Sequence, residues 1–303
     1  MERRIDFSRD RRMLCGACGH DWRVELDWID RWDQGVETCP GCGMTCAHED
    51  SPRVTADPAD LALDDDRVAR FFWYHTSTHP DWPRRNFDPA ADLSAETRRM
   101  MGGDERVAVW AARQRAKALH VGTYEAAVHN MLRRIRDQAD HDNQFYLYRV
   151  HLIPSVTVRE GWLIDPSDFV GDVALADVCP PGIDVARYLN YHEDPGGLSL
   201  ALGRNAITRV QGLAVPLPDA WDESWVHDAV AALANASDTE LSTVLADRLP
   251  TNLRVQFAPA AAFAEGDDSE QWARCTSSLI SLISDPGRVL AALDQQDFRE
   301  VRV

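Results

Sequence analysis

The stretch Phe71-Phe72-Trp73-Tyr74-His75-Thr76-Ser77-Thr78 decides how this sequence is interpreted, because four large apolar residues lead directly into a histidine and three hydroxyl side chains. Consecutive bulky residues of this kind are typical of a strand that is covered on both faces. Pro80 and Pro83 follow closely and predict that the strand ends there. We therefore expect a buried strand that delivers polar groups to a cleft. The alternative is that His75 only caps the strand and satisfies neighbouring backbone groups.

Five of the seven cysteines lie between positions 15 and 46, and four of them form two C-x-x-C-G motifs. The motifs are Cys15-Gly16-Ala17-Cys18-Gly19 and Cys39-Pro40-Gly41-Cys42-Gly43. Two-residue spacing lets both thiolates of a turn face one ion, so two turns supply four tetrahedral sulfur ligands. The pattern resembles a zinc ribbon, and we expect a structural Zn²⁺ bound by Cys15, Cys18, Cys39 and Cys42.

Other interpretations of these cysteines are weaker. Two disulfides are disfavoured in a cytoplasmic chain, and a thioredoxin-like redox pair needs only one C-x-x-C beside a βαβ unit. Cys46 and His48 either replace one of these ligands or do not bind the ion. The second alternative is favoured, because four ligands are already present. Between the motifs, residues 22–28 alternate apolar and polar side chains, which predicts an antiparallel strand. The acidic residues of this region favour a docking or folding role for the ribbon over binding to nucleic acid.

Length and charge narrow the class of protein. A chain of 303 residues suits two or three structural units. No apolar run approaches the roughly 20 residues of a membrane helix and the first residues lack a signal-peptide core, so we expect a cytoplasmic protein without a membrane partner. The net charge is -17, and residues 161–303 hold 9 basic against 22 acidic side chains. This balance argues against general affinity for nucleic-acid backbones, although the arginine-rich middle leaves local contact open.

The middle of the chain predicts two helices and a central strand. Residues 104–118 have apolar side chains at helical spacing, and a second helix follows Thr123, which is placed as its N-cap. The amino end of such a helix can bind phosphate or carboxylate, so His120 and Thr123 mark a candidate site edge. A lone histidine before a glycine turn is otherwise more often structural. Residues 145–153 form the clearest long strand, and their aromatic and β-branched content predicts a central position in a sheet.

Polar residues then crowd the segment between Tyr188 and Gly197, ahead of a strand that begins at Leu198. Tyr191 and Glu193 lie in this loop, which is either part of a site or an ordinary solvated turn. A further strand is predicted for residues 207–215. From residue 219 onward the chain is predicted to be mainly helical, with helices at 223–234, 238–249 and 269–283.

The fingerprints of P-loop, Rossmann and α/β-hydrolase sites do not occur in the sequence. Instead, three short motifs follow one another within residues 71–215. They are a strand ending in Tyr74-His75-Thr76, a His120-Val121-Gly122-Thr123 turn before an alanine-rich helix, and Glu193 ahead of a late strand. This order resembles the ADP-ribosyltransferase-like fold, whose NAD pocket is a cleft between two small sheets. The resemblance covers about half of the chain and rests on short motifs.

The resemblance implies a role for each of these residues. His75 with Thr76 would contact the nicotinamide ribose, and Glu193 would hold a ribose hydroxyl while the glycosidic bond loosens. Tyr124 or Tyr191 would supply the ring that stacks on nicotinamide. The residues that would contact NAD are Tyr74, Thr76, His120, Gly122, Thr123, Tyr124 and Tyr191. The chain has no Glu-x-Glu pair and no glycine directly after His75, which leaves the acceptor open: a protein, a nucleic acid, or water as in an NAD glycohydrolase.

Together, these patterns predict an α+β protein of three parts. Residues 1–53 form a zinc-ribbon module, and residues 49–62 contain a linker. Residues 61–217 form an ADP-ribosyltransferase-like domain with a central split mixed β-sheet and flanking helices. Residues 218–303 form a helical subdomain whose acidic surface is either solvated or bound to a partner protein.

Two other functions compete with NAD-dependent transfer. One is a non-enzymatic zinc-ribbon adaptor that binds a partner protein or nucleic acid. The other is a nucleic-acid-processing factor in which the ribbon guides the substrate.

Overall fold

The computed structural model describes residues 1–84, 86–91, 93–138, 144–165, 172–215, 217 and 278–301. The chain is a mixed α and β protein with several sheets, as the sequence predicts. The helices predicted at 223–234 and 238–249 lie outside the described residues, and the one predicted at 269–283 is described only from residue 278.

The helices of the described residues, in chain order, are α1 (Leu26–Asp33), α2 (Asp65–Val68), α3 (Ala95–Met100), α4 (Asp104–Ala116), α5 (Tyr124–Gln138), α6 (Leu175–Val178), α7 (residues 278–284) and α8 (Pro286–Asp294). The strands are β1 (Arg11–Leu14), β2 (Asp21–Val24), β3 (Arg53–Thr55), β4 (Trp73–Ser77), β5 (Leu119–Val121), β6 (Phe145–Leu152), β7 (Leu163–Ile164), β8 (Val185–Leu189), β9 (Leu198–Leu202), β10 (Ile207–Val215) and β11 (Arg299–Glu300).

A small three-stranded sheet, ordered β2-β1-β3 and antiparallel throughout, carries the cysteine motifs. Two predictions for this region are wrong. The strand predicted over residues 22–28 ends at Val24, because Ile29 and Trp32 are buried at helical spacing and helix α1 begins at Leu26. The linker predicted over residues 49–62 contains strand β3, which pairs with β1 through its backbone.

The first of two four-stranded sheets is ordered β11-β10-β6-β4 and contains the opening stretch of the sequence. Strand β6 lies inside this sheet between β10 and β4, which confirms the central position predicted for it. Strand β4 is an edge strand, and it is nevertheless buried on both faces: Trp73 is 0% and Tyr74 is 2% exposed. Helix α5 covers β4, where the Thr76 hydroxyl donates to the carbonyl of Ala127 at 3.0 Å.

The second four-stranded sheet is ordered β5-β9-β8-β7, with β7 parallel to β8 and the other pairs antiparallel. Its edge strand β5 meets the edge strand β4 of the first sheet. The junction is a pair of backbone hydrogen bonds between Tyr74 and Gly122, each 2.9 Å long. Helix α5 begins directly after this junction. The two sheets therefore adjoin along one line, and the amino-terminal part of α5 lies beside it.

The cysteine-bearing sheet and the two larger sheets share one hydrophobic core. Met13 and Trp32 of the first region pack in the same buried cluster as Trp73, Val150 and Leu200 of the two four-stranded sheets. A second cluster joins α5 and β6 to the apolar faces of α7 and α8. The ribbon is thus packed onto the sheets as part of one core. Within the described part of the chain, no helix is long and apolar enough to cross a membrane.

Candidate functional site

A cavity of about 340 Å³ lies where the edges of the two four-stranded sheets meet under α5. We call it the inter-sheet cavity. Its lining includes His75 of β4, His120 of β5, Gly122 of the following turn and Glu193 of the β8–β9 loop. The fold thus brings together residues up to 118 positions apart in the sequence. A volume of a few hundred Å³ is typical of small-molecule sites.

His75 is held in one orientation by a hydrogen bond and an aromatic ring. Its Nδ1 lies 2.9 Å from the carbonyl oxygen of His120, so Nδ1 carries the proton and Nε2 is left as an acceptor. The imidazole stacks on Trp82, with ring centroids 3.9 Å apart and planes inclined by 18°. Burial is the main reason that the pKa of His75 falls to about 3. His75 is therefore neutral near pH 7 and can accept a hydrogen bond from a ligand hydroxyl.

We expect His75 to remain neutral from pH 8 down to pH 5. Above about pH 6.5 both folded and unfolded chains hold this histidine neutral; below it the unfolded chain binds a proton that the folded chain resists until about pH 3. Stability should therefore fall as the pH drops through this window. Nitrogen-detected NMR of the ring should show constant His75 signals, and His75→Gln should flatten the dependence of unfolding free energy on pH. A His75 signal that titrates near pH 6.5 would contradict this assignment.

His120 presents an unfilled hydrogen bond at the cavity wall. Its Nδ1 lies 3.2 Å from the hydroxyl of Tyr188, whereas its Nε2 is buried and has no hydrogen-bond partner among the described residues. Burial also lowers the pKa of His120. Buried polar atoms normally have partners, so an unpartnered nitrogen on a cavity wall indicates a place that a ligand or water fills.

Glu193 is fixed in the cavity by two side chains of α5. Its Oε1 accepts from Asn130 Nδ2 at 3.3 Å and from Arg133 Nη2 at 2.5 Å. The loop itself is shaped by Asn190, whose side-chain oxygen accepts the backbone N–H groups of His192, Glu193 and Asp194 at 2.8–3.0 Å. The carboxylate is therefore positioned before any ligand arrives.

Sequence reasoning missed Asn130, Arg133 and Asn190, which hold Glu193. The signal that could have found them is helical spacing: residues 126, 130 and 133 of α5 share one face, which lines the cavity. The polar tail of β8 gave a second signal, since an asparagine before a tight loop commonly bonds to the backbone that follows it.

The other predicted site residues lie in different surroundings. The Thr76 hydroxyl is used by α5, and Tyr74 contributes to the walls of both this cavity and a neighbouring one. Thr123 caps α5 as predicted, accepting from Ala126 N at 2.9 Å, but it lines the neighbouring cavity. Tyr124 is 2% exposed and its hydroxyl donates to Leu282, so its ring belongs to the core. Tyr191 packs against the hydrophobic cluster that the ribbon shares with the two four-stranded sheets, and it does not line the inter-sheet cavity.

The four cysteines of the two motifs converge on one point. All their sulfur atoms lie within 4.8 Å of one another, with Cys15–Cys42 at 3.9 Å and Cys18–Cys39 at 3.7 Å. The cluster can hold a metal ion such as zinc, because sulfurs at 2.3 Å around a tetrahedral ion are about 3.8 Å apart. Cys46 and His48 lie outside this cluster, which makes them spare with respect to the four ligands.

No protein-family model matches the sequence, and neither the curated proteins nor the solved structures contain a significant match to it.

Proposed function

We propose that the chain is an NAD-dependent ADP-ribosyltransferase that binds NAD in the inter-sheet cavity. The observation that carries the proposal is the meeting of His75, the Gly122 turn and Glu193 on one cavity between two sheet edges. An ADP-ribosyltransferase-like split sheet would bring these three motifs together in this way: the strand-end His-Thr, the His-x-Gly-Thr turn and the late Glu. Chance convergence of three segments spread over 118 positions is a less economical account.

The proposed reaction breaks the bond between the nicotinamide nitrogen and the ribose carbon. The bonding electrons leave with nicotinamide, and the sugar carbon becomes electron-deficient until a nucleophile of the acceptor bonds to it and loses its proton. A fixed carboxylate near the ribose stabilises the positive charge that develops on the sugar more than it stabilises intact NAD. Glu193 supplies this carboxylate, and neutral His75 accepts a hydrogen bond from a ribose hydroxyl.

The surroundings of the carboxylate fit a dinucleotide. Arg133 and Arg134 line the same cavity, where guanidinium groups can contact the diphosphate of NAD. A volume of about 340 Å³ accommodates the nicotinamide riboside part of the molecule, with the remainder extending toward the cavity mouth. The acceptor is a protein or nucleic acid, and water takes its place if the chain acts as an NAD glycohydrolase.

Incubation with NAD labelled in the nicotinamide ring and, separately, in the adenine ring tests the proposal. We expect release of free nicotinamide, with the adenine label moving either to a macromolecular acceptor in cell extract or to free ADP-ribose. Chain heated above its melting temperature and cooled serves as the control for spontaneous hydrolysis. If native chain releases nicotinamide no faster than this control, and calorimetry detects no NAD binding, the proposal is wrong.

We further propose that the four-cysteine cluster holds a structural Zn²⁺. Four thiolates close a tetrahedral site and leave no open position for substrate, which favours a folding role over a catalytic one. A reduced four-thiolate site also suits the cytoplasm. The alternative of a separate adaptor module receives less support, because Met13 and Trp32 of the ribbon are buried in the core that it shares with the two four-stranded sheets.

A further inference from the structure

A second cavity, of about 430 Å³, adjoins the inter-sheet cavity at Tyr74. It is enclosed by the amino-terminal segment, the ribbon and the amino end of α5. We call it the arginine cavity because six arginines line it: Arg3, Arg4, Arg9, Arg11, Arg12 and Arg23. Neither the metal cluster nor the proposed NAD chemistry uses this space.

The carboxylate of Asp194 forms ion pairs with two of these arginines. Arg9 and Arg11 both donate to Oδ1 of Asp194, the Arg11 bond being 3.1 Å long. Thr123 donates to the other oxygen at 2.8 Å. Burial alone would raise the pKa of Asp194, but the two guanidinium groups hold it below its ordinary value. Asp194 is therefore an anion that two guanidinium groups share, and Glu125 adds a further negative field at both arginines.

A third arginine of this wall has no ion pair among the described residues. The guanidinium of Arg3 lies over Trp73, 4.2 Å from the ring centroid, and over Phe71 at 5.5 Å. Its Nη2 is buried without a hydrogen-bond acceptor in the part of the chain that the structure describes, and so is Nε of Arg11. Arg11 is only 2% exposed. Leaving buried charged donors unpaired is costly, so this wall is suited to an incoming oxyanion.

The same cavity is also lined by six carboxylates, Glu2, Asp6, Asp10, Asp57, Asp60 and Glu125. Asp60 and Glu125 lie near Arg3, whose pKa they raise against the lowering effect of burial. Glu125 accepts the backbone N–H of Asp6 at 2.7 Å, and Asp60 accepts that of Ala62 at 2.9 Å. The amino end of the fifteen-residue helix α5 also lines the cavity, and its dipole favours a negative group. Guanidinium donors with unfilled hydrogen bonds, interspersed with carboxylate acceptors, match a phosphate attached to a hydroxyl-bearing carbon skeleton.

We infer that the arginine cavity binds a phosphate group, carried by a hydroxyl-bearing monoester or as the free ion, with Arg3 and Arg11 as donors. The inference does not depend on NAD chemistry in the neighbouring cavity. Arg133, which lines the inter-sheet cavity and not this one, separates the two sites experimentally.

Titration calorimetry of the full chain with inorganic phosphate and with ribose 5-phosphate, at low ionic strength, tests the inference. We expect saturable binding of at least one probe, and Arg3→Gln should weaken it by about ten- to a hundredfold, the usual loss for a charge-assisted hydrogen bond. Arg99→Gln on the exposed surface of α3 is the matched control and should bind like wild type. Tighter binding of ribose 5-phosphate identifies a monoester site, and equal affinities identify a site for the phosphate group alone.

Three results would overturn the inference: no binding of either probe at millimolar concentration, equal affinities for wild type and Arg3→Gln, or loss of binding in Arg133→Gln with Arg3→Gln unaffected. Circular dichroism establishes that each variant is folded. If Arg3→Gln does not fold, Arg3→Lys replaces it, because it keeps the charge over Trp73 and removes the planar guanidinium. It should still bind phosphate more weakly than wild type, and an unchanged affinity would contradict the assignment.

Discussion

If the four-cysteine cluster holds the proposed Zn²⁺, removal of the metal is expected to unfold the sheets as well as the ribbon. Structural zinc in small domains contributes on the order of 10–16 kcal/mol of apparent binding energy, which is comparable with the whole stability of a domain at about 5–15 kcal/mol. In this chain the ribbon shares its core with the rest, because Met13, Val54 and Trp32 lie in the same buried cluster as Trp73 and Val150. Loss of the ribbon would therefore expose the core of both four-stranded sheets.

Cys39→Ser and Cys46→Ser form the matched pair for this prediction. Cys39 is 1% exposed and its sulfur belongs to the cluster, whereas Cys46 is half-buried and lies outside it. Cys39→Ser, or wild type treated with a strong chelator, should lose its cooperative melting transition at 37 °C, and hydrogen exchange in β6 should accelerate together with that in β1. Cys46→Ser should stay within a few degrees of wild type. Fast exchange confined to β1–β3 would show instead that the ribbon unfolds alone.

The sequence predicts those parts of the fold that depend on the spacing of residues close to one another in the chain. The C-x-x-C-G motifs predict the cysteine cluster, and strong β-formers at residues 145–153 predict the interior strand β6. Strand β3 was missed because Arg53–Thr55 is only three residues long and lies in a proline-bearing segment. Its strand character comes from pairing with β1, which a window of sequence does not contain.

Some residues of the candidate site can also be predicted from local sequence, and others cannot. His75, His120 and Glu193 stand out locally because each interrupts an apolar or glycine-rich pattern. Asp194 does not, since an acid before Pro-Gly-Gly is what an ordinary turn would contain. Its partners Arg9 and Arg11 are more than 180 positions away, and only the folded chain shows that they meet. Long-range ion pairs of this kind leave no periodic trace in a single sequence.

If the chain cleaves NAD as proposed, we expect Glu193→Gln to slow the release of nicotinamide by about a hundred- to a thousandfold, the usual cost of removing one electrostatic contact to a developing charge. Gln has the same shape and can keep the contact with Asn130, so the variant removes the negative charge and, with it, the ion pair to Arg133. NAD binding should weaken far less than the rate falls, because the charge on the sugar develops only as the bond breaks.

Glu160→Gln, on the exposed surface and outside both cavities, removes the same charge elsewhere and should react like wild type. Single-turnover release of nicotinamide at saturating NAD measures the chemical step, and calorimetry on unlabelled NAD measures binding separately. A variant that binds NAD and releases nicotinamide as fast as wild type would show that Glu193 orders the β8–β9 loop through Asn130 and Arg133 and takes no part in bond breaking.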